Sequence, residues 1–225
     1  MSRTYCPQCS RAQTACICHC VHRVINQTAV LILQHPSETK HTKGTAKLLN
    51  LCLSQCQIIQ GEIFTEQALT DAIAGRRAAL LYPSENTFNE QHTTVPDQPA
   101  SALALPLPYC QEDSAIHSSS LVETKPCSQT AIELIILLDG TWRKSYKMLQ
   151  VNPTLQTLSR LHLQSLKDSQ YHIRKAPKTG QLSTLEACAQ ALHQHEQLNV
   201  EPLYQAQAAM IQQIQNYQAN SQDDL

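Results

Sequence analysis

The chain of 225 residues is 42% hydrophobic and 16% charged, which provides enough apolar side chains for a core and excludes a largely disordered protein. No apolar run approaches the ~20 residues that cross a bilayer, and the first residues lack the apolar stretch of a secretory signal. We therefore expect a soluble, cytoplasmic protein without a membrane partner.

The net charge of −1 conceals two basic segments. Residues 1–50 hold six Lys or Arg against one acidic residue, and residues 140–180 hold eight against one. The stretch 51–139 has three basic and eleven acidic residues, and residues 181–225 contain no Lys or Arg. Two basic segments predict one anion-binding face if the fold brings them together; two separately solvated surfaces are the other interpretation.

Ten cysteines in a chain expected in the cytoplasm indicate metal binding or thiol chemistry rather than a disulfide framework. The four with the paired spacing of a tetrahedral zinc site are Cys6, Cys9, Cys16 and Cys18. Four thiolates leave no open position for water, so zinc would be structural. Cys20, His19 and His22 are competing ligands. The sequence predicts a zinc knuckle over residues 1–25 and one domain over residues 26–225.

Apolar periodicity predicts strands alternating with helices. The predicted strands are Ala29–Gln34, Gln57–Gln60, Ala78–Tyr82 and Ile132–Leu138. The predicted helices are Thr45–Cys56, Thr65–Ala74, one running from Trp142 through Gln150, one from Ser183 to about His195, and Pro202–Tyr217. Thr157–Leu163 fits a strand or a short helix, and Tyr171–Arg174 is expected to be extended. Polar loops at 85–99 and 111–129 flank a proline-containing edge segment at 101–108.

Buried strands that alternate with helices are typical of an α/β fold with a mostly parallel sheet. In such sheets, binding and catalytic residues collect where the strands end and the helices begin. Three polar motifs follow predicted strands here: His35–Glu38, Tyr82–Ser84 and Asp139–Trp142. We therefore expect the functional site at the carboxyl edge of the sheet.

The Asp-Gly-Thr-Trp motif at 139–142 lies between an apolar strand and a basic helix. Asp139 can accept a proton or bind a substrate donor, and Trp142 can stack on a base or face a cation. From residue types alone, a structural interpretation is slightly favoured, in which Asp139 or Thr141 caps the helix and Trp142 anchors in the core.

Two further motifs have a structural and a functional interpretation. His35–Glu38 is either a solvated turn that caps the next helix or part of a site. The basic loop Arg174–Gly180 precedes a helix start, where backbone N–H groups favour an anion, although a solvated loop is almost as plausible. That helix opens with Ser183 and Glu186, the spacing of a capping box.

Taken together and in chain order, these pieces resemble the DTW-domain family. The shared features are the Cys quartet, His35-Pro36-x-Glu38 with the segment 44–49, Leu138–Trp142 and Gly180–Ala187. The closest likeness is to the bacterial tRNA-uridine aminocarboxypropyltransferases, which are related to the rRNA aminocarboxypropyltransferases. The resemblance spans most of the chain. It implies a SPOUT-like α/β fold with a C-terminal knotted cofactor pocket, a rare exception to the rule against knots.

The resemblance also implies S-adenosylmethionine as the donor and tRNA as the acceptor. The 3-amino-3-carboxypropyl group would move to N3 of a uridine, and methylthioadenosine would leave. Because N3 carries a proton at neutral pH, transfer needs a proton acceptor, for which Asp139 is the candidate. The alternative is that Asp139 orients the amino group of the cofactor. No stable protein partner is expected.

The resemblance assigns residues to each role. The catalytic set is Asp139, Thr141 and Trp142. The cofactor-binding set is Leu81, Tyr82, Pro83, Ser84, Leu182, Ser183 and Thr184. The RNA-binding set is His35, Glu38, Arg143, Lys144, Arg174 and Lys175. Two rival functions remain: a SPOUT-type RNA methyltransferase, and a non-catalytic zinc-ribbon RNA-binding protein.

Overall fold

Five strands form one parallel sheet in the part of the chain that the structure describes. This computed structural model describes residues 4–39, 41, 43–82, 131–163 and 182–220. The strands are β1 (Ala29–Gln34), β2 (Cys56–Gln60), β3 (Ala78–Leu81), β4 (Leu134–Asp139) and β5 (Ser159–Leu161). Their order across the sheet is β2-β1-β4-β3-β5, and every neighbouring pair is parallel. The predicted α/β fold with a mostly parallel sheet is confirmed.

The strand order creates a switch point between β1 and β4. The chain passes from β1 to β2 on one side of this pair, and from β4 to β5 on the other. In parallel sheets, connections that diverge from two adjacent carboxyl ends open a crevice in which ligands bind. Gln34 at the end of β1 and Asp139 at the end of β4 are register partners. The topology therefore marks these two side chains as the position of a site.

The helices cover the sheet and bury its central strands. They are α1 (Ala46–Cys52), α2 (Glu66–Ile73), α3 (Trp142–Val151), α4 (Pro153–Gln156), α5 (Thr184–Glu196) and α6 (Glu201–Asn220). Every residue of β1 is buried, and so are five of the six residues of β4, as expected for central parallel strands. Helix α3 packs on β4, while α5 packs on β4, α1 and α6. The predicted capping box of α5 is confirmed, because Ser183 and Glu186 exchange both hydrogen bonds.

Two predicted boundaries are refined by a buried amide. The helix predicted over Thr45–Cys56 ends at Cys52. Beyond it, the Asn26 side-chain oxygen accepts hydrogen bonds from Gln55 N and Ser54 Oγ, both at 3.0 Å. These bonds hold the chain extended, so β2 starts at Cys56.

The stretch at 157–163, which fitted either a strand or a short helix, contains the strand β5.

The N-terminal segment packs against the rest of the described fold. Ile17 and Cys20 are fully buried and belong to the same hydrophobic cluster as the apolar residues of β1, α1, α5 and α6. The Arg11 guanidinium donates to Gly44 O at 3.1 Å, and Gln213 donates to Cys16 O at 2.9 Å. The segment thus shares a core with the sheet, and the predicted domain boundary after residue 25 stays a prediction.

Several sequence predictions lie outside the described residues. They concern Pro83, Ser84, Arg174, Lys175, the loops at 85–99 and 111–129, the edge segment at 101–108 and the extended stretch at 171–174. Apart from Ala131, the described residues belong to one compact unit. None of the helices described combines the length and the apolar character that a membrane crossing requires.

Replacement of Asn26 tests the link between α1 and β2. The Asn26 side chain is fully buried and donates to Thr28 O at 2.7 Å and to Gln55 O at 3.0 Å, besides accepting from residues 54 and 55. Because Asn26→Ala removes four buried hydrogen bonds, we expect the free energy of unfolding to fall by about 2–4 kcal/mol. Chemical denaturation followed by circular dichroism measures the change.

The neighbouring residue provides the matched control. Gln27 is exposed, so Gln27→Ala is expected to change the free energy of unfolding by less than about 0.5 kcal/mol. Equal losses in the two variants would contradict the role given to the Asn26 amide.

Candidate active site and metal centre

Asp139 is a buried acid at the carboxyl end of β4, with 7% of its surface exposed. Its Oδ1 accepts a hydrogen bond from Thr184 Oγ1 at 2.5 Å, and its Oδ2 accepts one from Gln34 Nε2 at 2.8 Å. An ionised carboxylate offers only acceptors, so two donors match that form. The side chain therefore joins the ends of β1 and β4 to the first residue of α5, and it does not cap α3. Thr141 occupies the N-cap position of α3, without a side-chain capping bond.

The start of α5 is fixed by a hydrogen-bond network. Ser183 Oγ accepts from Glu186 N at 3.2 Å and from Gln207 Nε2 at 3.0 Å, and Leu185 N donates to Thr45 Oγ1 at 3.2 Å. The Ser183 hydroxyl oxygen is therefore already engaged within the protein. Of the predicted cofactor-binding residues on this helix, Thr184 is the one that contacts Asp139.

Trp142 lies at the surface, beside Tyr82. The Trp142 side chain is 40% exposed, so the interpretation as a core anchor is wrong. Its ring meets the buried Tyr82 ring edge-on, with centroids 6.5 Å apart. The Arg160 guanidinium lies over the Tyr82 ring, 5.5 Å from its centroid. Burial raises the pKa of Tyr82 to about 12, so its phenol is neutral at physiological pH.

The predicted RNA-binding residues near β1 are engaged with one another. Lys144 on α3 donates to Glu38 at 2.7 Å, and Glu38 is buried rather than solvated. His35 Nδ1 accepts a hydrogen bond from Ser37 N, which caps a short 3-10 helix at Pro36–Glu38. Arg143 is exposed on α3. Of the described members of this predicted set, Arg143 is the exposed one, whereas Glu38 and Lys144 form an ion pair.

Glu62 joins His35 to α3. Its Oε1 lies 3.0 Å from Lys147 Nζ and 3.5 Å from His35 Nε2. The hydrogen bond from Lys147 is the main reason why the pKa of the Glu62 carboxyl is lowered from its usual value. Two lysines of α3 thus each pair with an acid from the region that follows β1 or β2.

Sequence reasoning missed four residues of this site. Gln34 and Glu62 meet their partners only through the sheet, so no local pattern points to them. Tyr146 and Lys147 could have been found from the helical spacing. They lie four residues after Trp142 and Arg143, so each is on the same face of α3 as its counterpart, one turn later. Tyr146 is 52% exposed.

Four cysteines of the N-terminal segment converge on one point. The sulfur atoms of Cys6, Cys9, Cys16 and Cys18 all lie within 4.8 Å of one another. The Cys6–Cys18 pair is 3.6 Å apart and the Cys9–Cys16 pair 3.7 Å apart. A tetrahedral ion with Zn–S bonds of ~2.3 Å would place its sulfurs about 3.8 Å apart. This group could hold a metal ion, as the sequence predicts.

The cysteines of this group differ in acidity, and burial raises the pKa of Cys18 to about 12. Backbone hydrogen bonds from Cys9 and then Gln8 lower the pKa of Cys6 to about 6. Cys20, a competing ligand in the sequence, is fully buried outside the group, and burial raises its pKa. The structure thus selects the predicted four ligands from the described cysteines and histidines.

Comparison with known proteins identifies the family. A DTW-domain model matches residues 3–215. The chain belongs to the DTW-domain family. The matched residues span nearly the whole chain and include both the cysteine group and the site around Asp139.

Curated relatives carry a specific activity in their names. The chain is 28% identical over 197 residues to tRNA-uridine aminocarboxypropyltransferase 2 of Macaca fascicularis, covering 84% of this chain and 56% of that protein. It is 28% identical over 200 residues to the protein of the same name in Drosophila melanogaster, covering 84% and 66%. It is 24% identical over 205 residues to tRNA-uridine aminocarboxypropyltransferase A of Arabidopsis thaliana, covering 84% and 72%.

These matches are partial in one respect. The chain spans little more than half the length of the macaque relative. No solved structure shows a significant match to this chain.

Replacement of one cysteine tests the metal centre. Cys16→Ser removes one of the four sulfurs, and we expect zinc affinity to fall by at least about 10²-fold, since loss of a group that merely orients a ligand already costs 10–100-fold. Elemental analysis of the purified protein measures the zinc content per chain. Cys20→Ala is the control, and it should keep the wild-type zinc content. Retention of zinc by Cys16→Ser together with its loss from Cys20→Ala would overturn the ligand assignment.

Proposed function

We propose that this protein is a tRNA-uridine aminocarboxypropyltransferase that transfers the 3-amino-3-carboxypropyl group of S-adenosylmethionine to N3 of a tRNA uridine and releases methylthioadenosine. Family membership and the names of the relatives support this activity. The observation that carries it in the structure is the buried Asp139 carboxylate at the switch point of the sheet, followed three residues later by the exposed indole of Trp142.

The described residues fit S-adenosylmethionine by their chemistry. When bound, S-adenosylmethionine would supply a carbon activated by its bond to a sulfonium sulfur, and a nucleophile that attacks this carbon displaces methylthioadenosine. The face of Trp142 attracts a cation such as a sulfonium, and the buried carboxylate of Asp139 accepts hydrogen bonds from N–H donors. Leu81, Tyr82 and Leu182 supply further surface at the same edge of the sheet, with Thr184 held by Asp139.

We also propose that the chain before α5 closes a knotted pocket around the donor. The chain leaves β5 at the edge of the sheet and returns to its centre, where Thr184 meets Asp139 at the end of β4. Such a path supports the SPOUT-like arrangement that the family resemblance implies.

We assign Asp139 the role of accepting the N3 proton of the uridine as N3 forms its new bond to carbon. Each carboxylate oxygen has one donor within the protein and keeps a lone pair for one more. Thr184 and Gln34 hold the carboxylate in a fixed orientation, which a general base requires. In the alternative role, the same lone pair receives the ammonium group of the donor.

The acceptor RNA approaches over α3 in this proposal. Trp142 and Tyr146 form one exposed row on this helix, and Arg143 is exposed next to that row. Unpaired bases stack on aromatic rings, while cations bind the phosphates. We further propose zinc as the ion of the cysteine group, with a structural role, because four thiolates leave no position for a substrate.

One assay tests the activity. Purified protein is incubated with unmodified tRNA and S-adenosylmethionine, and the tRNA nucleosides and the small products are analysed by mass spectrometry. We expect a uridine that carries the 3-amino-3-carboxypropyl group, together with methylthioadenosine. A methylated nucleoside with S-adenosylhomocysteine would instead identify a methyltransferase, and no modified nucleoside with intact tRNA binding would identify an RNA-binding protein.

Asp139→Asn tests the proton acceptor in the same assay. The amide keeps the size of the side chain but cannot accept a proton, so we expect the turnover rate to fall by about 10²–10⁴-fold while the affinity for S-adenosylmethionine stays close to that of the wild type. A large loss of donor affinity, measured by calorimetry, would instead favour the alternative role. Glu133→Gln, just before the amino end of the same strand, is the control and should retain full activity.

Replacement of Tyr146 tests the RNA surface of α3. Because stacking of one base contributes ~1–3 kcal/mol, Tyr146→Ala should weaken tRNA binding by about 5- to 100-fold. Tyr146→Phe keeps the ring and should bind as the wild type does. Filter binding or fluorescence anisotropy measures both affinities; an unchanged affinity in Tyr146→Ala would remove this residue from the interface.

A further inference from the structure

A polar cleft of about 560 Å³ opens beside the carboxyl ends of β1 and β2. One wall is the metal-binding segment at Cys9–Arg11, and the other is α1, which contributes Lys47 and Asn50. The two strands contribute Gln34 and Gln60, which are register partners. The volume lies within the range of pockets that bind small ligands. Cys9, Gln34 and Glu38 have roles described above, whereas Lys47, Asn50 and Gln60 have none.

Two cations border the cleft. Arg11 is oriented by its hydrogen bond to Gly44 O at 3.1 Å, so its position is fixed by the fold. Lys47 forms no ion pair with the carboxylates that the structure describes. Glu38 also lines the cleft, but Lys144 at 2.7 Å balances its charge. The cleft therefore keeps a net positive charge, which favours a phosphate group.

Amide side chains give the cleft a second kind of recognition group. Gln34, Asn50 and Gln60 each offer a donor and an acceptor, the groups that bind the edge of an unpaired base. Ser10 offers a hydroxyl that can exchange hydrogen bonds with a ribose, and Ile58 offers apolar surface. Cations, amides and a hydroxyl around one space correspond to the phosphate, base and sugar of a ribonucleotide.

Gln34 connects this cleft to the site around Asp139. Its amide nitrogen donates to Asp139 Oδ2 at 2.8 Å, and its side chain also lines the cleft. A ligand in the cleft would therefore be separated from Asp139 by the Gln34 side chain.

We propose that this cleft binds the ribonucleotide adjacent to the target uridine, with its phosphate against Lys47 and Arg11 and its base against the amides of Asn50 and Gln60. The inference rests on the proposed tRNA substrate and adds a defined subsite to it. The cysteine group then has a functional consequence, because the segment that it shapes forms one wall of the nucleotide subsite.

Removal of the Lys47 charge tests the subsite. Each phosphate neutralised by a cation contributes about 0.7–0.9 to the slope of log affinity against log salt concentration. Lys47→Gln should lower the magnitude of this slope for tRNA by that amount and weaken binding several-fold at low salt. Asn50→Ala should weaken binding without a change of slope, because an amide carries no charge.

A basic residue at the opposite edge of the sheet provides the control. Arg77 precedes β3, lies at the amino end of the strands and pairs with Glu133 at 3.2 Å. Arg77→Gln should keep both the affinity and the salt slope of the wild type. Circular dichroism melts of all three variants establish that differences in binding do not come from unfolding.

The outcomes separate this inference from the proposed function. If the wild type modifies tRNA but Lys47→Gln and Asn50→Ala bind it as the wild type does, the subsite is refuted and the function stands. If Lys47→Gln lowers the affinity for S-adenosylmethionine and leaves the tRNA salt slope unchanged, the cleft holds the donor and the inference is wrong. Failure of the wild type to bind tRNA at all would refute both.

Discussion

The carboxylate of Asp139 connects parts of the chain that are far apart in sequence. Gln34 lies 105 positions away and Thr184 lies 45 positions away, and each donates to one of its two oxygens. A buried charge without such partners strongly destabilises a fold, so the end of β4 is compatible with this acid only when β1 and the start of α5 lie beside it. The geometry of the site is in this sense a condition for folding.

Local patterns in the sequence were sufficient for much of the fold. The apolar runs of β1 and β4 identify buried strands because both faces of a central parallel strand are covered. The Ser183–Glu186 spacing identified the start of α5 because a capping box involves only four consecutive residues. The cysteine group was predictable for the same reason, since its ligands fall within 13 consecutive positions from Cys6 to Cys18.

Contacts between distant segments were not predictable in this way. The apolar pattern predicts a helix up to Cys56, but α1 ends at Cys52. The Asn26 side chain binds residues 54 and 55 just beyond this end. Residue type alone slightly favours a core position for Trp142, yet 40% of its surface is exposed. The pairing of Gln34 with Asp139 requires the strand order, which no single strand encodes.

Ion pairing changes what the distribution of charge means. In the sequence, residues 140–180 are strongly basic, with eight Lys or Arg against one acidic residue. In the structure, Lys144 and Lys147 of α3 are paired with Glu38 and Glu62. These lysines serve to fasten α3 to the region beyond β1 and β2, and their charge is largely neutralised before any nucleic acid arrives. Counting lysines and arginines therefore overstates the phosphates that this surface can bind. Among the described residues, Arg143 on α3 and Lys47 in the cleft form no ion pair with a described carboxylate, and these are the cations that the proposed RNA contacts use.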